Sequence, residues 1–172
     1  MTEAAVLCLL AVEGEQSGYE LLKQATSGVG HVWAPAKSQL YAVLPRLARD
    51  GSARVRTVVQ SERPDKQLYA ITATGRRALT EWLETVDADD VDGFYLKVFY
   101  GALIPRATLI EHVEAYRERA HELLATYDGI AERNTNRGHD YYHRLMLDYG
   151  YARARASLGW ADEVVAKLRR RR

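Results

Sequence analysis

The chain has 172 residues, 47% of them hydrophobic and 27% charged, and a formal net charge of +1. That balance fits one folded globular domain or two small ones and excludes a chain disordered throughout. The longest apolar run near the N-terminus, residues 4–12, is too short to span a bilayer. It follows Glu3 and has no basic leader or small-residue cleavage site, so neither a signal peptide nor a membrane anchor is expected. The single cysteine, Cys8, allows no intrachain disulfide and no multi-cysteine zinc site, and reads as core filler. A cytoplasmic protein is expected.

Charge is distributed unevenly. Residues 21–79 carry ten basic and three acidic side chains, a local charge of +7, against −6 for the rest of the chain. Such a block is the electrostatic footprint of a nucleic-acid face, and it describes a plain solvated surface equally well.

The elements follow in order. Residues 2–13 read as a helix with Ala5, Cys8, Leu9 and Val12 on one stripe, ended by Gly14. Ser17-Gly18-Tyr19-Glu20 is a capping box opening a second helix to about residue 27. A loop with His31 and Trp33 leads to a third helix starting near Pro35 or Ala36. On its wheel Leu40, Leu44 and Leu47, flanked by Val43 and Ala48, form the buried stripe, with Ser38, Ala42 and Arg49 roughly opposite. Pro45 lies inside this helix, where it removes a hydrogen bond and favours a kink. Asp50-Gly51 closes it. The period then changes to two over residues 53–59, and a polar turn at 61–66 and a return strand at 67–71 complete a hairpin. Thr72 or Thr74 caps a helix to about residue 86, with Leu79, Trp82, Leu83 and Val86 as its apolar face. Residues 88–90 form an acidic joint, which divides the chain into residues 1–87 and 88–172.

The second half begins with an apolar helix over residues 91–104, ended by Pro105. From residue 106 to about 134, Leu109, Val113, Tyr116, Ala120, Leu123, Tyr127 and Ile130 recur at spacings of 4 and 3, the seam of a coiled coil. Leu145, Tyr149, Ala152, Ala156, Trp160, Val164 and Leu168 continue a similar spacing in a last helix. Two seamed helices joined by a short turn make an antiparallel hairpin. Its seam exceeds what one hairpin needs, so part of it is expected to pack on a second copy, with Leu109, Val113, Tyr116, Leu123, Tyr149 and Trp160 as candidate dimer contacts.

The fold expected is thus mainly α with a small β-hairpin: a winged helix-turn-helix followed by a helical, antiparallel coiled-coil-like dimerisation domain. In that arrangement the third helix enters the major groove by its N-terminal turn. Ser38 and Gln39 suit base edges, Lys37 and Tyr41 suit phosphate, Arg46 and Arg49 can reach the backbone, and Arg63 and Lys66 at the wing can grip phosphate or enter the minor groove. Lys66, as a plain phosphate contact, is expected to support specific and non-specific binding alike.

The ordered set Gly18-Tyr19-Glu20-Leu21, Trp33, Ser38-Gln39-Leu40-Tyr41, Leu47, Gly51, Tyr69, Ile71-Thr72 and Gly75-Arg76 resembles the PadR family of bacterial regulators. The resemblance continues over residues 92–103 and over 147–168, with Tyr149-Gly150 and Trp160, and so covers nearly the whole chain. It implies a repressor that dimerises through C-terminal helices, binds an inverted repeat in promoter DNA and releases it on binding a small molecule. It also implies that Tyr19, Ser38, Gln39, Tyr41 and Lys66 occupy positions that meet DNA. Where the family often has proline directly after the tyrosine of the third helix, this chain has Ala42.

Other readings stand beside these. The winged helix could serve ligand sensing or protein contacts without DNA. Trp33, with Phe94 and Tyr95, is a candidate pocket for a small aromatic or hydrophobic effector, or part of the core. Eight of the eleven tyrosines lie from Tyr95 onward, which suits either an aromatic effector or ordinary helix packing. His139 and His143 share a helix face but lack a third ligand, and no catalytic motif is found, so neither a metal, another cofactor nor an enzyme is expected.

Overall fold

The computed structural model describes every residue except 28–35, 62–64, 88–89, 136 and 171–172. Trp33, Arg63 and the last two arginines therefore lie outside the described residues. The elements are α1 (Thr2–Glu13), β1 (Gln16–Ser17), α2 (Gly18–Ser27), α3 (Lys37–Arg49), β2 (Ala53–Val58), β3 (Lys66–Ile71), α4 (Ala73–Glu84), α5 (Val91–Phe99), a 3₁₀ turn at Gly101–Leu103, α6 (Arg106–Arg133) and α7 (His139–Arg170). The chain forms two compact units. One holds residues 1–85 and 90–105, the other residues 86–89 and 106–172. The structural division therefore falls elsewhere than the 87/88 boundary read from the sequence.

In the first unit, α1 is the central post. Residues 4–10 are all buried, because α3, α4 and β3 pack around them. Val12, expected on the buried stripe, is 54% exposed. The sheet has three antiparallel strands in the order β1-β3-β2. The wing pairs Ala53 with Ile71 through Val58 with Lys66, and β1 adds Gln16 opposite Tyr69 and Ser17 opposite Leu68. A hairpin of two strands was expected; β1 escapes a periodicity argument because two residues carry no period.

α3 buries Leu40, Val43, Leu44 and Leu47, the stripe read from its wheel. It runs through Pro45 without a break. The missing N–H would have bonded the Tyr41 carbonyl, and both residues are exposed, so water can serve that carbonyl. The helix ends with Asp50 and Gly51 donating to the Arg46 and Ala48 carbonyls, and Gly51 takes φ 73°, a conformation glycine adopts without steric cost.

The wing is fastened to α4 at its base. The Thr72 hydroxyl caps α4 by accepting from Gly75 N–H at 3.0 Å and donates to the Gly51 carbonyl at 2.6 Å. The Thr72 N–H donates to the Ser52 carbonyl at 3.1 Å. α4 stops at Glu84, leaving Val86 exposed.

α5 is capped by Asp90, whose carboxylate accepts from Gly93 N–H at 2.9 Å. Its Lys97 is buried, donates to the Thr85 carbonyl at 2.6 Å and lies 4.8 Å from the Trp82 ring centroid. Those contacts tie α5 to α4 and explain why residues 90–105 group with the first unit. The α-helix ends at Phe99, five residues before the expected end. Ile104 is extended (φ −128°, ψ 159°), as the crowding of a residue before proline demands.

In the second unit, α6 and α7 run antiparallel. Tyr116 and Ser157 hydroxyls meet at 2.9 Å, Tyr151 donates to Asp128 at 2.6 Å and Arg169 to Glu114 at 2.7 Å. The α7 residues buried here are Leu147, Ala154, Ala161 and Val165, spaced 7, 7 and 4. The seam read from the sequence through Leu145, Tyr149, Ala152, Ala156 and Trp160 is displaced from this line by about two residues. Leu145, Tyr149 and Trp160 are 50%, 59% and 38% exposed. On α6, Leu109 and Val113 are buried within the single chain, while Tyr116 and Leu123 are half-buried. Within the described residues, no helix is long and apolar enough to cross a membrane.

Candidate nucleic-acid interface

α2 and α3 meet where glycine permits it. A Cβ built on Gly18 would lie 2.9 Å from Tyr41 Cε1 and 3.1 Å from Leu44 Cδ1, so the first residue of α2 rests directly on the Tyr41 ring. The N-terminus of α2 is closed by the reciprocal capping box expected from its sequence. Glu20 N–H donates to Ser17 Oγ at 3.3 Å. In return, Ser17 N–H and the Ser17 hydroxyl donate to Glu20 Oε2 at 2.8 and 2.7 Å.

This junction presents the first turn of α3 outward. Lys37, Ser38, Gln39 and Tyr41 are all exposed, and Tyr19 from α2 is 70% exposed. Lys37 Nζ lies 5.9 Å from the Tyr41 ring centroid. Among the described residues, neither the Ser38 nor the Gln39 side chain has an intrachain hydrogen-bond partner. Their side-chain donors and acceptors are open to solvent and available to an incoming polar edge. Beside them, Ser17, Gly18, Tyr19, Tyr41, Pro45 and Lys66 help line an open cleft of about 550 Å³ between α2, α3 and the wing.

The basic side chains are more compensated than their segment suggested. Residues 1–20 carry four acidic side chains and no basic ones, and three of the four reach into the basic block. Arg46 pairs with Glu3, Arg56 with Glu15 at 2.6 Å, and Lys66 with Glu20 Oε1 at 2.9 Å. Arg49 lies 3.7 Å from its neighbour Asp50. The count of +7 over residues 21–79 thus overstates the local field, because it omits acids that the fold brings back. The exposed pairs of Arg46 and Arg49 contribute about 0–1 kcal/mol each and exchange readily with other counter-ions, so they leave those two side chains competent for phosphate contact. The Glu15 carboxyl is held below its usual range by Arg56. That of Glu20 is held down at about 2, first by Lys66 and then by the Ser17 hydrogen bonds.

Of the residues read from the sequence, Tyr19, Tyr41 and Lys66 line the cleft, Lys37 lies near the Tyr41 ring, Ser38 and Gln39 are exposed in the same first turn of α3, and Arg46 and Arg49 lie further along that helix. Arg63 lies outside the described residues. Sequence reading missed Glu20 as part of this site, since its partner Lys66 is 46 positions away and only the wing's return strand brings them together. Of the candidate effector residues, Phe94 is buried and Tyr95 lies at the surface, with ring centroids 5.5 Å apart.

Two family models match adjoining stretches of the chain. The transcriptional regulator PadR-like family matches residues 6–81, and the virulence activator alpha C-terminal family matches residues 92–169. The chain is 25% identical to the negative transcriptional regulator PadR of Bacillus subtilis, over 95% of each chain. It is 27% identical to the probable transcriptional regulator Rv1176c of Mycobacterium tuberculosis, over 93% of this chain and 94% of that one. Among solved structures, that of Bacillus subtilis PadR in complex with operator DNA is similar at 25% identity and a TM-score of 0.45, covering 96% of this chain and 98% of the other. The chain thus carries a PadR-like transcriptional-regulator domain over residues 6–81, followed by a stretch that matches the virulence activator alpha C-terminal family.

Proposed function

We propose that this protein regulates transcription by binding promoter DNA as a homodimer, reading a two-fold repeated site with the first turn of α3. The observation that carries this reading is the pair Ser38 and Gln39, exposed at that turn and without side-chain partners among the described residues, on a helix that meets α2 at the close Gly18–Tyr41 contact. Gln39 is the base-reading residue, suited to an adenine edge, and Ser38 supports it. Lys37, Tyr19, Tyr41, Arg46, Arg49 and Lys66 grip phosphate, and Arg63, read from the sequence alone, is assigned the same role. The known function of the Bacillus subtilis relative as a negative regulator supports repression as the direction of control.

The dimer part of the proposal rests on α7. Leu145, Met146 and Tyr149 form an exposed stripe on the side of α7 away from its buried seam, and Trp160, whose ring meets Tyr116, keeps 38% of its surface exposed further along the helix. A second copy covering that stripe would bury apolar area worth roughly 25 cal/mol per Å² and supply two reading helices, one for each half of an inverted repeat. Of the dimer contacts expected from the sequence, Tyr149 and Trp160 keep that role. Leu109 and Val113 stabilise the chain itself, and Tyr116 is shared, its ring meeting Trp160 at 5.8 Å between centroids. A small aromatic effector acting near Phe94 and Tyr95 would control release by favouring one arrangement of the dimer over another.

The test is selection of duplexes from a random-sequence pool by the intact protein. Enrichment of an inverted repeat, bound with affinity that falls steeply with salt, is the expected result. No enrichment at any salt concentration overturns the reading in favour of a winged helix used for protein or ligand contacts.

A further inference from the structure

Lys66 differs from the other basic residues of this face in how it is held. Its partner oxygen belongs to a carboxylate that is itself fixed, because the other oxygen of Glu20 takes two hydrogen bonds from Ser17 at the start of α2. The pair therefore joins the wing's return strand to the helix-turn-helix at the edge of the open cleft. It also places a compensating negative charge beside a cation that sequence alone would count as free for phosphate. A lysine on a flexible stem meets phosphate in any pose of the protein on a duplex. A lysine with one donor committed to a fixed carboxylate meets phosphate only where the docked pose brings one to its remaining donors.

We propose that Glu20 is a specificity-determining residue of the DNA interface that acts through Lys66, withholding the Lys66 charge from non-specific duplex and reserving it for the docked complex. The proposal rests on the DNA-binding reading above and changes one expectation drawn from the sequence: loss of Lys66 weakens specific binding but leaves non-specific binding nearly untouched. Non-specific affinity is almost wholly phosphate contact with counter-ion release, at a slope of about 0.9 in log affinity per contact on duplex DNA. Freeing one lysine therefore raises non-specific affinity about fivefold at 0.15 M salt.

The experiment compares the full chain with Glu20→Gln, Lys66→Gln and the double variant. Each is titrated by fluorescence anisotropy over a salt series, with a duplex enriched from the random pool and with a scrambled duplex of the same composition. Gln keeps a side-chain oxygen to accept from Ser17, so α2 remains capped. Glu20→Gln is expected to raise affinity for the scrambled duplex about fivefold and steepen its salt slope by about 0.9, with a smaller change on the enriched duplex. Lys66→Gln is expected to weaken the enriched duplex about fivefold and change the scrambled one less than twofold, an arm that decides the matter even if Glu20→Gln fails to fold. The double variant should match wild type on the scrambled duplex. Three results overturn the proposal: an unchanged scrambled affinity and slope for Glu20→Gln, an equal gain from it in the Lys66→Gln background, or equal losses on both duplexes for Lys66→Gln. A wild-type chain that enriches no duplex overturns the DNA reading itself, a failure distinct from these three.

Discussion

Replacing Gly75 with alanine sets two physical effects against each other. Gly75 lies inside α4, where alanine is favoured over glycine by about 1 kcal/mol of helix propensity. On that ground alone the variant would be more stable. The surroundings forbid it. A Cβ at this position falls 2.0 Å from the Ser52 carbonyl oxygen, 2.9 Å from its carbon and 3.0 Å from Ile71 Cγ1. The nearest neighbour is backbone, so it cannot swing aside as a side-chain tip would. It must retreat by about an ångström, and the same oxygen accepts from Thr72 N–H at 3.1 Å and Thr72 Oγ1 at 3.2 Å. Its movement loses about 1 kcal/mol of hydrogen bonding and about 1 kcal/mol of the Thr72 cap, on top of about 2 kcal/mol of overpacking. Less the propensity gain, the variant is about 3 kcal/mol less stable, which in a chain of this size lowers the melting temperature by about 6–12 °C. Thermal unfolding followed by circular dichroism measures it. A melting temperature equal to or above that of wild type would refute the reasoning, since propensity would then have outweighed the clash.

Gly18→Ala should be milder, because the displaced neighbour at 2.9 Å is the half-exposed Tyr41 ring: stability falls by about 1 kcal/mol in urea titration, and a loss as large as that of Gly75→Ala would contradict the distinction. Cys8 is fully buried and burial pushes its thiol up to about 12, so a disulfide reagent at pH 8 labels native protein only at the rate of global opening and reacts at once in urea; rapid labelling in native buffer would contradict the burial. The Glu20 carboxyl, at about 2 in the folded chain against an ordinary 4.5, contributes stability that is complete above pH 4.5 and is lost as the pH falls toward 2. Glu20→Gln therefore lowers the melting temperature at pH 7, and the gap closes on acidification; a gap that stays constant down to pH 2.5 counts against it. Leu145→Glu, at a 50% exposed position on α7, should give a monomeric mass by light scattering at micromolar concentration where wild type is dimeric, and an undisturbed dimer would move the interface elsewhere.

Much of this was legible in the sequence, for identifiable reasons. The capping box at Ser17–Glu20 and the α3 stripe at Leu40, Leu44 and Leu47 are local patterns, and local patterns survive folding when nothing tertiary opposes them. The α7 seam was misplaced because the helix carries two apolar lines. The one through Tyr149 and Trp160 is bulkier and stands out in sequence, whereas the one that packs on α6 uses Ala154 and Ala161, small residues whose value lies in close approach. Gly150 shows the same economy: a Cβ there would meet the Tyr127 ring at 2.9 Å. The compensation of the basic face was invisible for a different reason. Glu3, Glu15 and Glu20 lie tens of residues before their partners, and only the packing of α1 and the wing returns them to Arg46, Arg56 and Lys66.

The central claim is that the first turn of α3 reads base edges, and the most direct test is Gln39→Ala on a duplex enriched from a random pool and on a scrambled one. Gln39 is exposed and supports no described part of the fold, so its removal isolates recognition. A loss on the enriched duplex of about 1–3 kcal/mol, roughly 5- to 150-fold, is expected, with affinity for the scrambled duplex and the salt slope unchanged. Equal weakening on both duplexes, or none on either, would contradict it.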